Sequence, residues 1–278
     1  MTVRTVGILS PGEMGSSIGY VLHQHGARVV TCLAGRGQGS HERAQQASIE
    51  DLPDLEALVQ QADIILSIVP PAVAGAVADQ VAAAIRATHA DVLYADCNAV
   101  APSTVHGIAQ TITDAGARFS DAGIIGPPAT RPGNRIFASG PGAQDLAQLR
   151  EQGLDIRVLT GEVGQASGLK MCYAALTKGL QALGTELLVA AQLMGVDDAL
   201  RQEQNQGDIA QIRAYIERAL PSMLPKAYRW IGEMEEIART FEDLGIPGRM
   251  LLGAADVYRD VRDEGKLRTE LRVPSPTS

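Results

Sequence analysis

An apolar run through Val6-Gly-Ile-Leu9 breaks at Ser10-Pro-Gly-Glu-Met-Gly15 and passes into a helical stretch, Ser16 to Gln24. His23 and His25 fall at the end of that helix, and Gly26 suits its C-terminus, because glycine takes the left-handed conformation without a Cβ penalty. A second β-branched run, Ala27-Arg-Val-Val-Thr-Cys-Leu33, follows. A strand, a glycine turn, a helix and a second strand in this order open a doubly wound α/β domain. Apolar runs over Asp63–Val69, Asp91–Cys97, Arg118–Ile125 and Asp155–Thr160 predict further strands, alternating with helices in the rhythm of a parallel sheet. The stretch Asp121-Ala-Gly-Ile-Ile-Gly-Pro-Pro128 is too rich in glycine and proline to continue a strand, which predicts a shaped loop there. After Gly164 the period changes to long helices, beginning with the proline-free Gln165–Met194. The expected architecture is a Rossmann-type doubly wound parallel sheet over residues 1–162 and an all-α domain over residues 163–278. Pro221, Pro225 and Pro247 punctuate the second domain, and a frayed tail is expected over residues 273–278.

With 278 residues and 45% apolar composition, the chain can bury a substantial core, and few aromatics with many alanines suit helices packed on a sheet. A net charge of −8 argues against a nucleic-acid partner or an anionic membrane surface. The most apolar stretch, Ile64 to Ala83, is interrupted by Pro70-Pro71 and reads as strand plus helix rather than a membrane span. The N-terminus begins in strand-like sequence, so no signal peptide is expected. Cys32, Cys97 and Cys172 have neither disulfide nor zinc spacing, and the histidines form no ligand pair. No metal site is expected, and a reducing cytoplasm is the simplest home.

The first turn carries the candidate cofactor chemistry. Gly12 would let the backbone approach a pyrophosphate and Gly15 would let the helix pack closely on the strand. The N–H groups of the first helical turn, with Ser10, Glu13 and Met14, would face the anion. Ser10 stands where such turns usually carry their first glycine, and a plain tight connection is the alternative. An NAD site would place an acid at the end of the second strand, yet Thr31-Cys-Leu-Ala-Gly-Arg36 has none and the next is Glu42. Arg36, with Ser40 and Arg43, could instead hold a 2′-phosphate, which predicts NADPH over NADH; a solvated loop arginine is the competing reading.

Ligands of open parallel sheets sit beyond the carboxyl ends of the strands. There Val69-Pro70-Pro71 would wall the cofactor, and Asn98, within Asp96-Cys-Asn-Ala-Val-Ala-Pro102, would orient substrate or carboxamide unless it only caps a turn. On the long helix Ser167, Lys170, Tyr173, Thr177 and Gln181 recur at three- and four-residue spacing and share one face. Lys170 is the only cation of that stripe. Lys178 falls off it, and its replacement is expected to be close to neutral.

These segments together resemble the β-hydroxyacid dehydrogenase superfamily, which includes 3-hydroxyisobutyrate and 6-phosphogluconate dehydrogenases. Ser10–Gly15 matches the family turn G-x-G-x-M-G, Asp96–Pro102 its D-x-S-T-x-x-P motif, Asp121–Pro127 its D-A-P-V-S-G-G loop, and Gly164–Lys170 its G-x-x-x-x-x-K. The resemblance implies that Lys170 is the general acid/base while hydride passes to or from a nicotinamide. It also implies substrate contacts at Asn98, Ile125, Gly126, Pro127, Tyr173, Ala174 and Thr177, and a homodimer paired through the helical domain. Departures concern the substrate: Asn98 replaces the family serine, and Ile125-Gly126-Pro127 replaces its Ser-Gly-Gly anion cradle. Ala174 replaces an asparagine, and a second lysine expected near Gly232 is absent. Proline has no N–H to offer a carboxylate. The stretch Arg229–Glu236 is similar to a little-characterised bacterial branch, and Trp230 and Tyr228 could serve an interface or a pocket, or simply pack. The expected activity is NADP-linked hydride transfer on a hydroxy or keto compound larger or more apolar than 3-hydroxyisobutyrate. The alternatives are imine reduction, or a nucleotide-sensing scaffold that lost the chemistry.

Overall fold

The computed structural model describes residues 3–207 and 209–272, so the expected tail at 273–278 lies outside the described residues. One sheet holds eight strands, β1 Thr5–Leu9, β2 Arg28–Cys32, β3 Glu50–Leu52, β4 Ile64–Ser67, β5 Leu93–Asp96, β6 Arg118–Ile125, β7 Arg135–Ser139 and β8 Ile156–Val158, in the order β3-β2-β1-β4-β5-β6-β7-β8. Six helices accompany it: α1 Glu13–Gln24, α2 Gln38–Gln46, α3 Leu55–Gln61, α4 Ala74–Thr88, α5 Pro102–Thr113 and α6 Ala143–Leu146. They cover both faces. Val6, Ile8, Ile18 and Leu66 belong to one buried cluster, and Val30, Leu58, Ile65 and Tyr94 to another. Adjacent residues of β4, Ile65 and Leu66, thus point to opposite layers, as strand geometry requires of a sheet buried on both sides.

The Rossmann-type expectation holds, with two corrections to the strands. Glu50-Asp-Leu52 pairs in parallel with β2, and Arg135–Ser139 pairs with β6, so the sheet gains β3 and β7. The β6–β7 pair is antiparallel, which makes the sheet mostly rather than wholly parallel. That pairing also corrects the loop expected from Asp121: the strand continues to Ile125, because Asp121 to Ile125 each face a residue of β7. The irregular loop begins only at Gly126, whose φ of +118° is open to glycine alone among ordinary residues.

The chain divides into two compact units, Met1–Met171 and Cys172–Ser278. The boundary falls inside the long helix α7, Gln165–Met194, rather than at residue 163, since the first turns of α7 are bonded to the sheet. The second unit holds the rest of α7 with α8 Asp197–Gln204, α9 Ile209–Met223, α10 Ala227–Asp243, α11 Arg249–Arg262 and α12 Lys266–Glu270. On α10, Ile231, Met234, Ile237 and Ala238 are buried at helical spacing, and α11 answers with Leu251, Ala254, Ala255 and Tyr258. Trp230 packs edge-on against Tyr258, whose hydroxyl donates to the Lys178 carbonyl at 2.6 Å. Among the described residues no helix is long and apolar enough to cross a membrane.

Candidate active site

The turn after β1 is shaped as a phosphate cradle. Ser10 has a φ of +68°, the left-handed conformation that a glycine would take here, so the missing glycine changes the residue and not the turn. The Gly12 N–H donates to the Ser10 carbonyl at 2.8 Å. A Cβ on Gly15 would lie 2.8 Å from that carbonyl oxygen and 3.2 Å from Ile8 Cγ2, so only glycine lets α1 pass so close to the strand. A Cβ on Gly12 would meet nothing within 4 Å, and no side chain caps the N-terminus of α1. Open space beside uncapped N–H groups fits a dinucleotide pyrophosphate. Arg43 braces this turn through Nε to the Pro11 carbonyl at 2.9 Å. Beyond β2 a cavity of about 540 Å³ is lined by Leu33, Gly35, Arg36, His41, Asp51 and Pro53, with Ser40 half-buried on the neighbouring helix α2. Asp51 is an acid that sequence order hides. It arrives from β3, pairs with Thr31 of β2, and accepts the Leu33 N–H at 2.8 Å.

Asn98 is buried at the end of β5 and its amide is committed to the protein. Oδ1 accepts the Val69 N–H at 2.7 Å, while Nδ2 donates to Ser67 Oγ at 3.1 Å and to Asp96 Oδ2 at 2.9 Å. Both amide hydrogens are therefore spent. Asn98 ties the Val69-Pro70-Pro71 segment to the end of β5. Asp96, fully buried, takes a second bond from the Asn98 N–H at 3.0 Å. Burial pushes its carboxyl up to about 7, against the opposing pull of the two Asn98 hydrogen bonds.

The neighbouring strand positions the lysine. Asp121, the cross-strand partner of Asp96, accepts from Ser139 Oγ at 2.9 Å, Gly164 N–H at 2.9 Å, Ser167 N–H at 3.1 Å and Ser167 Oγ at 2.6 Å. These bonds hold the N-terminus of α7, whose first N–H groups lack helical partners. Two residues along β6, a Cβ on Gly123 would stand 2.7 Å from the Ala166 carbonyl oxygen and 3.2 Å from Lys170 Cβ. The helix thus rests directly on the strand. Lys170 is half-buried, and burial lowers the pKa of its ammonium while Cys97, Asp96 and Asp121 pull the other way. Burial also pushes the Cys97 thiol up. A lysine made less basic by burial, beside a buried acid, is a candidate proton-exchanging group.

The loop after β6 closes on itself at Gly126 and Gly133 and is stitched to α1: Ser17 Oγ accepts the Ala129 N–H at 3.0 Å, and Asn134 Nδ2 reaches Pro127 O at 2.6 Å and Met14 Sδ at 3.6 Å. Ile125, Gly126 and Pro127 therefore lie in the same framework as the nucleotide turn. In the helical unit Ala174 is buried and Tyr173 exposed. There Thr177 Oγ1 donates to the Tyr173 carbonyl at 3.1 Å, and Gln181 Nε2 donates to Tyr215 Oη at 3.2 Å. Of the expected polar stripe, Ser167 is consumed by Asp121. Lys178 is no bland comparison: it is ion-paired with Glu233, and its ammonium sits 5.3 Å from the centre of the Trp230 ring. Sequence reasoning also missed Gly123, whose only signal was a glycine at the place of the family's proline.

Residues 5–151 match the NAD-binding domain of 6-phosphogluconate dehydrogenase, and residues 191–261 match a domain of unknown function. An uncharacterized 28.5 kDa protein of Methanothermus fervidus is 30% identical over 204 residues, 73% of this chain and 77% of that one. Among solved structures, the conserved protein MTH1747, described as structurally similar to 3-hydroxyacid dehydrogenases, is 28% identical with a TM-score of 0.72, over 96% of this chain and 98% of that one. Mycobacterium tuberculosis 3-hydroxyisobutyrate dehydrogenase shares the fold at 16% identity and a TM-score of 0.75, over 96% and 99% of the two chains. With the cradle and these likenesses together, the chain belongs to the family that carries the NAD-binding domain of 6-phosphogluconate dehydrogenase and is an NAD(P)-dependent dehydrogenase or reductase.

Proposed function

We propose that this enzyme interconverts a hydroxy and a keto compound with NADP(H), using Lys170 as the acid/base. The carrying observation is the seat of Lys170: half-buried on Gly123, beside buried Asp96 and Cys97, with its ammonium made less basic by burial. The nicotinamide, when bound, supplies or takes up the hydride. Lys170 gives a proton to the carbonyl oxygen as it becomes a hydroxyl, or removes it in the reverse direction. Asn98 acts on ligands through what it holds, fixing the Val69-Pro70-Pro71 wall against the end of β5. Arg36 on the rim of the β2 cavity supports a 2′-phosphate, and hence NADPH. Ile125 and Pro127, in place of polar and glycine residues, favour a substrate with more apolar surface than 3-hydroxyisobutyrate. The helical unit carries exposed apolar side chains, among them Leu176, Leu183 and Met250, which supports pairing with a second copy.

The test is NADPH oxidation against a panel of ketoacids, ketones and imines, with Lys170→Ala alongside. The expected result is turnover on a C=O substrate, reduced at least roughly 10²-fold in the variant with NADPH affinity retained. Turnover confined to imines, or wild-type turnover in Lys170→Ala, would overturn the assignment.

A further inference from the structure

Arg135 opens β7 and is half-buried, and its Nε is buried with no hydrogen-bond partner. No described carboxyl lies in ion-pair contact with it. Asp155, whose carboxyl is lowered first by its Arg157 hydrogen bond and in smaller part by the charge of Arg135, is already bound by Arg157 at 3.2 Å and 2.9 Å. A guanidinium carries five donors, and leaving one of them buried and unpaired is unfavourable unless something else receives it. Such a cost is tolerated where a ligand completes the site.

Its position says which ligand. Directly opposed residues of an antiparallel pair share a face, so Asp121 with Ser139, Gly123 with Phe137 and Ile125 with Arg135 form three successive rungs on one face of β6 and β7. The first rung binds the N-terminus of α7 and the second lies under Lys170. Arg135 is on the third, one two-residue step, about 7 Å, beyond the rung that carries the lysine. Both side chains are long enough to converge on one small molecule. The adjoining loop is tied to α1 through Met14 and Ser17, which places this end of the hairpin beside the nucleotide turn. Opposite Arg135 stands buried Ile125, and the backbone two residues on is Pro127, which has no N–H to offer.

We propose that Arg135 receives the carboxylate of the substrate, so that the enzyme acts on keto or hydroxy acids bound between Arg135 and Lys170 with Ile125 against their apolar part. This rests on the reading of Lys170 given above. Anion recognition passes from loop N–H groups to a side chain on the opposite strand. The planar fork of arginine suits a carboxylate through two parallel hydrogen bonds, which lysine cannot reproduce.

Calorimetric titration of the NADP-loaded protein tests this without needing turnover. The probes are 3-methyl-2-oxobutanoate and 3-methyl-2-butanone, which share a branched carbonyl skeleton and differ in the carboxylate. The wild type is expected to bind the acid more tightly than the ketone. Arg135→Leu should weaken the acid by about 10-fold or more and leave the ketone unchanged, with Arg135→Lys in between. Unchanged NADP affinity and thermal midpoint establish that the variants are folded; if Arg135→Leu fails this check, Arg135→Gln takes its place. A wild type that binds the acid no better than the ketone at millimolar concentration, or variants that keep the preference, would overturn the proposal. Lys170→Ala separates the two readings: it should still bind the acid, and its turnover bears on the lysine alone.

Discussion

Replacing Gly123 by alanine adds one carbon at the point where β6 meets the helix bearing the lysine. The new Cβ would sit 2.7 Å from the Ala166 carbonyl oxygen and 3.2 Å from Lys170 Cβ. The oxygen is backbone, so no rotamer change relieves the clash; α7 must retreat by roughly 0.7 Å to restore ordinary contact. The retreat is opposed by the bonds that tie Gly164 and Ser167 to Asp121. Overpacking of this kind costs about 1–3 kcal/mol, and a displacement approaching 1 Å in a catalytic group costs up to roughly 10²-fold in rate. The expected outcome for Gly123→Ala is a lower thermal midpoint, NADPH affinity within about twofold of wild type, and kcat reduced by about 10- to 100-fold. Backing the helix away also admits water, so the lysine pKa should rise and the alkaline limb of the pH–rate profile should move upward. Amide hydrogen exchange in the first turns of α7 gives a readout independent of substrate. Wild-type stability, exchange and turnover in this variant would refute the close-contact account of how the lysine is placed.

Arg36→Ala should weaken NADPH by about 1.5–3 kcal/mol and leave NADH almost unaffected, as measured by fluorescence titration; equal wild-type affinities for the two cofactors would remove the 2′-phosphate role. Lys178→Ala should destabilise the chain by about 3 kcal/mol in denaturant unfolding, because it strands Glu233 in a largely buried pair and takes a cation from the Trp230 face; a near-neutral result would mean that the pair and the ring contact contribute little. Asp96 holds its proton up to about 7 when folded, against an ordinary value of 3.8, so its stabilising contribution is complete below about pH 4 and is lost as pH rises through 7. That span corresponds to about 4 kcal/mol. Subtracting the Asp96→Asn unfolding curve from wild type between pH 4 and 8 should reveal the loss, and parallel curves would contradict it. Sedimentation at micromolar concentration should give the mass of a dimer; a monomer would mean that the exposed leucines of α7 serve something else.

The elements legible in the sequence are those whose signal is local. The turn at Ser10–Gly15, the parallel strands with their apolar runs, and the long helix from Gln165 each announce themselves within a dozen residues. Two strands do not. Glu50-Asp-Leu52 has two exposed acids in three positions, and only its pairing with β2 makes it a strand. Arg135–Ser139 follows a stretch of prolines and glycines, and its partner runs the opposite way, against the parallel rhythm of the rest. The same limit governs the site. Lys170 could be read from its helical face and its motif, whereas Asp51 enters the β2 cavity from the next strand and Arg135 faces Ile125 across a hairpin. Asn98 was legible as a polar residue in the crevice. Its commitment to Ser67, Asp96 and Val69 was not, because those partners lie on other segments.

This division explains how the departures from the family pattern can coexist with an intact lysine. The groups that fix α7 are Asp121, Ser139, Gly123 and Ser167, and none of them lies in the altered Ile125-Gly126-Pro127 segment. The loop that follows is anchored separately, at Gly126 against Gly133 and at Met14 and Ser17 of α1. If Lys170 is the acid/base and Arg135 receives the substrate, rungs one and two of the β6–β7 hairpin would set where the proton is exchanged, and rung three with its loop would set what is held there. A substitution at Ile125 or Pro127 can change the substrate without moving Lys170, while one at Gly123 moves the lysine whatever the substrate. Under this arrangement variation at the mouth of the site would carry little catalytic penalty, and isoleucine in place of the family serine opposite Arg135 would alter recognition while leaving the proposed acid/base in place.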